Sequence, residues 1–95
     1  MTKTVVVSAG NSDDKLTQKE WSTYVASITK TLKEHNCVVH FFGSSSNWMP
    51  WQNAAWVFQI EDESVLFLKA VLIGIRKNYR QESLFYCVLE KPEFI

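Results

Sequence analysis

Apolar positions along this chain follow two rhythms, one of period two and one of three to four. Residues 4–9 (TVVVSA) form a β-branched run closed by Gly10 and read as a buried strand. Residues 10–16 (GNSDDKL) are rich in turn formers and read as loop. A helical stripe follows, with Trp21, Tyr24, Val25, Ile28 and Leu32 on one face and Lys19, Thr23, Ser27, Lys30 and Glu34 on the others. Thr17 and Glu20 make a T-x-x-E capping box at its start, and Leu16 and Trp21 can close a hydrophobic staple around it. Trp21 is therefore expected in the core rather than against a ligand. Asn36, which tolerates left-handed backbone, ends the helix.

Residues 37–42 (CVVHFF) read as a second strand stopped by Gly43 and the serines, and 54–60 (AAWVFQI) as a third. A second helix is predicted over 63–79, with Val65, Leu68, Leu72, Ile75 and Tyr79 on one face. Asp62 is its expected N-cap, and Arg76, Lys77 and Arg80 complement its carboxyl end. Residues 84–89 (LFYCVL) make the last strand.

The order β-α-β-β-α-β in 95 residues predicts one α+β domain, 1–95. Its natural form is a ferredoxin-like βαββαβ sandwich, a four-stranded antiparallel sheet with two helices on one face. Right-handed crossovers set the strand order 4-1-3-2. Two helices cover only one face of such a sheet, yet the third and fourth strands are apolar on both. Trp56, Phe58 and Ile60 back onto Ala55 and Val57, while Leu84, Tyr86 and Val88 back onto Phe85, Cys87 and Leu89. The second face is expected to be buried in a homodimer or a higher homo-oligomer.

Composition narrows the classes. A content of 46% hydrophobic and 21% charged residues is that of a globular chain. Ten basic residues balance ten acidic ones, so no net field draws in long nucleic acid or an anionic membrane. The stretch MTKTVVVS is too short and too β-branched to read as a secretory leader, and no apolar run in the sequence is long enough to predict a bilayer span. Cys37 and Cys87 make no disulfide framework, fall on opposite edge strands in the predicted sheet, and fit a reducing cytoplasm. Cys37, His40, His35 and Cys87 do not make a zinc site, because residues three apart on a strand face opposite ways. No phosphate-cradling glycine motif, P-loop or aromatic-basic RNA signature is present, so neither cofactor nor metal is expected.

One stretch departs from core-building composition. Residues 42–56 (FGSSSNWMPWQNAAW) hold three of the four tryptophans among serine, asparagine and proline. Such backbone reads as surface loop. The predicted topology brings the connections 10–16, 43–53 and 77–83 to one end of the sheet. That rim would carry Asn11, Asp13, Asp14 and Lys15 from the first connection. Asn47, Trp48, Trp51, Gln52 and Asn53 come from the second, and Tyr79, Arg80 and Gln81 from the third.

Flat aromatics with amide edges and nearby cations suit a small nucleotide-like ligand. Trp48 and Trp51 would stack on bases, Asn11, Gln52 and Asn53 would read polar edges, and Arg80 with Lys15 would meet phosphate. The plainer reading has Asn11, Asp13 and Asn53 making turn and cap bonds while Trp51 folds back over the sheet. The two tryptophans taken together favour function. Two further readings use the same residues. The tryptophans could anchor a partner protein, or Asp13 and Asp14 could hold a divalent cation for a phosphodiesterase. Adjacent carboxylates in a turn are more often plain surface charge. Ser44, Ser45 and Ser46 lack a histidine–aspartate partner, and no catalytic residue is assigned.

The blocks GNSDDKLTQKEW, WQNAAWVFQI and NYRQES give the chain a resemblance, over nearly its whole length, to a family of small bacteriophage and prophage proteins. The resemblance implies a viral protein acting in a bacterial cytoplasm. It implies counter-defence by trapping a nucleotide messenger or by plugging a host protein, without choosing between them.

Overall fold

The computed structural model describes residues 1–11, 14–46, 51–93 and 95. The elements are β1 (Thr2–Gly10), α1 (Gln18–Glu34), β2 (Val38–Ser44), β3 (Asn53–Glu61), α2 (Val65–Asn78) and β4 (Phe85–Leu89). The sheet order is β2-β3-β1-β4, the predicted order read from the other edge, and all three pairings are antiparallel. This is the ferredoxin-like arrangement.

The ladder register separates the two faces. Val5 pairs with Phe58, Val7 with Trp56 and Ala9 with Ala54, and all six are buried against the helices. Tyr24, Ile28 and Leu32 of α1 and Leu68 and Leu72 of α2 complete this core. Trp56 Nε1 donates to Thr29 Oγ1 at 3.0 Å, so the buried indole keeps a hydrogen bond. The alternate positions, among them Val6, Ala55, Val57, Phe85 and Cys87, point away from the helices.

Helix α1 starts as its sequence requires. The Thr17 side chain accepts from Glu20 N at 3.1 Å, and Glu20 Oε1 accepts from Thr17 N at 3.0 Å. Leu16 and Trp21 are both buried beside this cap. Both helices end with a left-handed residue, Asn36 (φ 59°) and Arg80 (φ 58°). Cys37 N bonds Leu32 O and Gln81 N bonds Arg76 O, both at 3.0 Å, which closes each end in a Schellman turn.

Two local expectations are corrected. Asp62 is not the N-cap of α2: a 3-10 turn occupies Asp62–Ser64, and Ser64 precedes the helix without a side-chain cap bond. The Asp62 backbone is instead tied to the start of β1, its N–H donating to Met1 O at 2.9 Å. Nor does Gly43 stop β2. It pairs with Ala55, and the strand runs on to Ser44. The Phe41 ring lies across this glycine, where a Cβ would come within 2.7 Å of Phe41 Cζ. Gly43 is thus a close-approach glycine rather than a strand stop. Among the described residues no helix is long and apolar enough to cross a membrane.

Candidate functional site

The three polar connections meet at one end of the sheet, as the topology predicted. Asn11 N donates to Gln52 O at 3.1 Å, and Asn11 Nδ2 donates to Gln52 Oε1 at 2.7 Å, joining the first connection to the second. Lys15 Nζ reaches Glu82 at 3.4 Å, joining the first to the third. Residues far apart in sequence therefore line common hollows.

Trp51, on this rim, is 55% exposed. It borders two adjoining hollows on the uncovered face of the sheet. One, of 360 Å³, is walled by Asn11, Asp14, Trp51, Gln52, Ser83 and Phe85 over a floor of Ser8 and Gly10. The other, of 450 Å³, lies between Trp51 and Phe41, over Ser8, Gly43 and Ala55. Asn53 lines both. Both volumes fall within the range of about 300–1,000 Å³ usual for small-molecule sites. The small residues beneath Trp51 leave the space, and the flanking rings bound it. A third hollow of 260 Å³ sits on the helix side, lined by Gln18, Trp21, Ser22, Val25, Ser44, Ser45, Ser46 and Gln52.

Many rim polar groups are spent on holding the loops. Asn11 Nδ2 also donates to Leu16 O, and Asn11 Oδ1 accepts from Leu16 N, both at 2.9 Å. Gln52 Nε2 donates to Gln18 Oε1. Asn53 N donates to Ser45 Oγ at 3.0 Å while Ser45 N donates to Asn53 O at 2.8 Å. These amides shape the hollows more than they offer free edges. Asp14 has left-handed backbone (φ 56°) and exposes its carboxylate at the first hollow.

Lys15, Tyr79, Arg80 and Gln81 line neither hollow beside Trp51. Arg80 Nη2 pairs with Glu20 Oε2 at 3.0 Å. Tyr79 stacks on Tyr24 with ring centroids 5.0 Å apart. Gln81 is buried, and its Nε2 donates to Tyr79 O at 3.1 Å. The two cations assigned to phosphate thus each hold a carboxylate. Asp13, Asn47 and Trp48 lie outside the described residues. Among the described residues no three metal-ligating side chains gather.

Ser8, Phe41 and Phe85 were absent from the sequence-derived rim, yet they build its floor and walls. A signal existed for each. Ser8 interrupts an otherwise apolar strand, and the two phenylalanines fall on the outward parity of edge strands.

No known family model matches the sequence, and no curated protein does. Among solved structures, the fold is similar to part of a formyltetrahydrofolate deformylase from Pseudomonas putida KT2440. The match has a TM-score of 0.58 and 13% identity over 96% of this chain. The chain spans 29% of that deformylase. A dimeric ferredoxin-like protein from an uncultured marine organism is also similar, at TM-score 0.47 and 11% identity, covering 99% of this chain and 90% of that one. At such identities the deformylase match bears on the fold alone.

Proposed function

We propose that this chain is a binding protein, not a catalyst, which takes a flat, polar-edged small molecule of nucleobase type against Trp51. The observation that carries the reading is the exposed indole standing between two ligand-sized hollows whose walls are held by cross-loop hydrogen bonds. An indole face stacks on a planar ring, contributing about 1–3 kcal/mol per base. Prior locking of Asn11 and Gln52 keeps the cost of ordering the site low. The Asp14 carboxylate at one hollow, and the pairing of Lys15 and Arg80 with Glu82 and Glu20, favour an uncharged ring system over a polyanion.

The more specific version is a phage-encoded protein that sequesters a host cyclic nucleotide. It requires Lys15 and Arg80 to exchange their glutamates for phosphate. Both pairs are exposed, and such pairs are worth only about 0–1 kcal/mol, so the exchange is energetically open. A second reading, docking of a host protein, is favoured by the continuity of Trp51 with Phe41 and the apolar sheet face.

The test is titration with nucleobases, nucleosides and cyclic nucleotides, followed by tryptophan fluorescence and calorimetry. Saturable binding, weakened at least tenfold by Trp51→Ala with the ligand recovered intact, is expected. No heat and no fluorescence change across the panel would remove the small-molecule reading. Stoichiometric capture of one bacterial protein, lost with Trp51→Ala, would then favour the second.

A further inference from the structure

The face of the sheet turned away from the helices is almost devoid of charge. The ladder places Thr4, Val6 and Ser8 of β1 there, paired with Gln59, Val57 and Ala55 of β3. The edge strands add Val38 and Phe41 on one side and Phe85, Cys87 and Leu89 on the other. Val38 is 59% exposed, Phe41 56% and Phe85 58%. Glu61, at the far margin, is the sole ionised side chain among these ladder-paired positions, and it holds the amino terminus at 3.6 Å.

We infer that this face is the interface between two copies of the chain, and that the second copy supplies the missing wall of the hollows beside Trp51. Three observations choose a second copy over another partner. Two-fold pairing brings like surfaces together, so a charge cluster would meet its own sign; the described residues of this face carry no cluster, Asp14 and Glu61 being single carboxylates at its opposite ends. The chain as a whole carries ten basic and ten acidic residues, so copies approach without net repulsion. The area also suffices for a weak pair. Strands of nine, nine, seven and five residues, at about 3.3 Å per residue and about 4.8 Å apart, give roughly 475 Å² in projection. The accessible area of a corrugated face exceeds its projection, so the face is of the size of a weak, concentration-dependent pair, below the about 800 Å² per partner of a standard interface.

The link to the ligand site follows from position. Ser8, Phe41 and Phe85 belong both to this face and to the hollows. A second sheet seated on the face therefore closes the hollows on their open side. That second half rests on the ligand reading above, whereas the dimer itself is tested without any ligand.

Sedimentation velocity on the full chain reads the mass. Twice the 11.0 kDa of one chain is expected at tens of micromolar, falling to one chain for Phe41→Glu combined with Phe85→Glu. Both side chains are exposed in the single chain, so the variant is expected to keep its circular-dichroism spectrum; if it does not, Val38→Lys replaces it. Leu66→Glu, on the exposed outer side of α2, should leave the dimer intact. A single-chain mass for the native protein, a dimer that survives the sheet-face variants, or a dimer broken by Leu66→Glu would overturn the inference. On dilution through the transition, tryptophan emission should shift to the red in the native chain but not in Trp51→Phe. An unchanged native emission would remove the closing of the hollows, whatever the nucleotide titration had shown.

Discussion

Three residues sit at odds with their surroundings, and each gives a measurable consequence. Tyr24 is fully buried, and its hydroxyl has no hydrogen-bond partner among the described residues. Burial pushes its pKa up to about 12, against a smaller opposing pull from Arg76. A buried hydroxyl without a partner costs about 1–3 kcal/mol. Tyr24→Phe should therefore stabilise the fold by about 1 kcal/mol, a rise of about 4–8 °C in Tm for a domain of this size; a lower Tm would mean the hydroxyl is satisfied. Gly74 lies exposed inside α2, and an added Cβ would meet nothing within 4 Å. Gly74→Ala should gain about 0.5–1 kcal/mol in urea unfolding by lowering the entropy cost of the helix. Cys37 has its thiol pushed up to about 11 by burial alone. At neutral pH its alkylation should be about a hundredfold slower than that of a free cysteine, because only the thiolate reacts.

At the scale of elements, α1 was legible in the sequence because its signals are local. Capping box, apolar stripe and left-handed Asn36 all lie within twenty residues and agree with one another. The start of α2 was not legible. Asp62 carries the right side chain for a cap, but its backbone is claimed by Met1, a contact that no local pattern announces. The α1 cap also sets a pH dependence. Glu20 is held below its ordinary 4.5, chiefly by the Thr17 backbone N–H and then by Arg80. The fold thus prefers the ionised carboxylate. Its stabilisation is fully present above pH 4.5 and is lost as pH falls through the lower folded value. Glu20→Gln should be less stable than the native chain at neutral pH, and the difference should vanish at the acid end; a constant gap would assign the effect to shape rather than charge. Thr17→Ala, by contrast, should cost about 1 kcal/mol across the whole range.

Across the whole molecule, topology was legible because alternation, crossover handedness and chain length leave few arrangements. That was enough to bring connections 10–16 and 43–53 together. It did not reveal which rim side chains face outward, since Gln81 turns inward and Arg80 finds Glu20 only once the helices have docked. The same docking leaves stability uneven. Strand β2 pairs on one side only, carries a bulge between Val39 and Phe41, and has no buried residue. Even its helix-facing Val39 and Phe42 stay exposed, Phe42 meeting Trp56 at a centroid distance of 5.3 Å. The central strands β1 and β3 instead bury Val5, Val7 and Ala9, and Ala54, Trp56, Phe58 and Ile60, in the core. The other edge, β4, is pinned by Tyr86 Oη donating to Val65 O at 2.9 Å. Edge strands with little buried surface open without global unfolding. In dilute solution, amide exchange in β2 should therefore be at least tenfold faster than in β1 and β3, a difference of about 1.4 kcal/mol in opening free energy. It should slow at concentrations where two copies pair, because Val38 and Phe41 then leave water. Exchange in β2 that matched β1 when dilute, or that ignored concentration, would show that the strand is held by contacts within one chain.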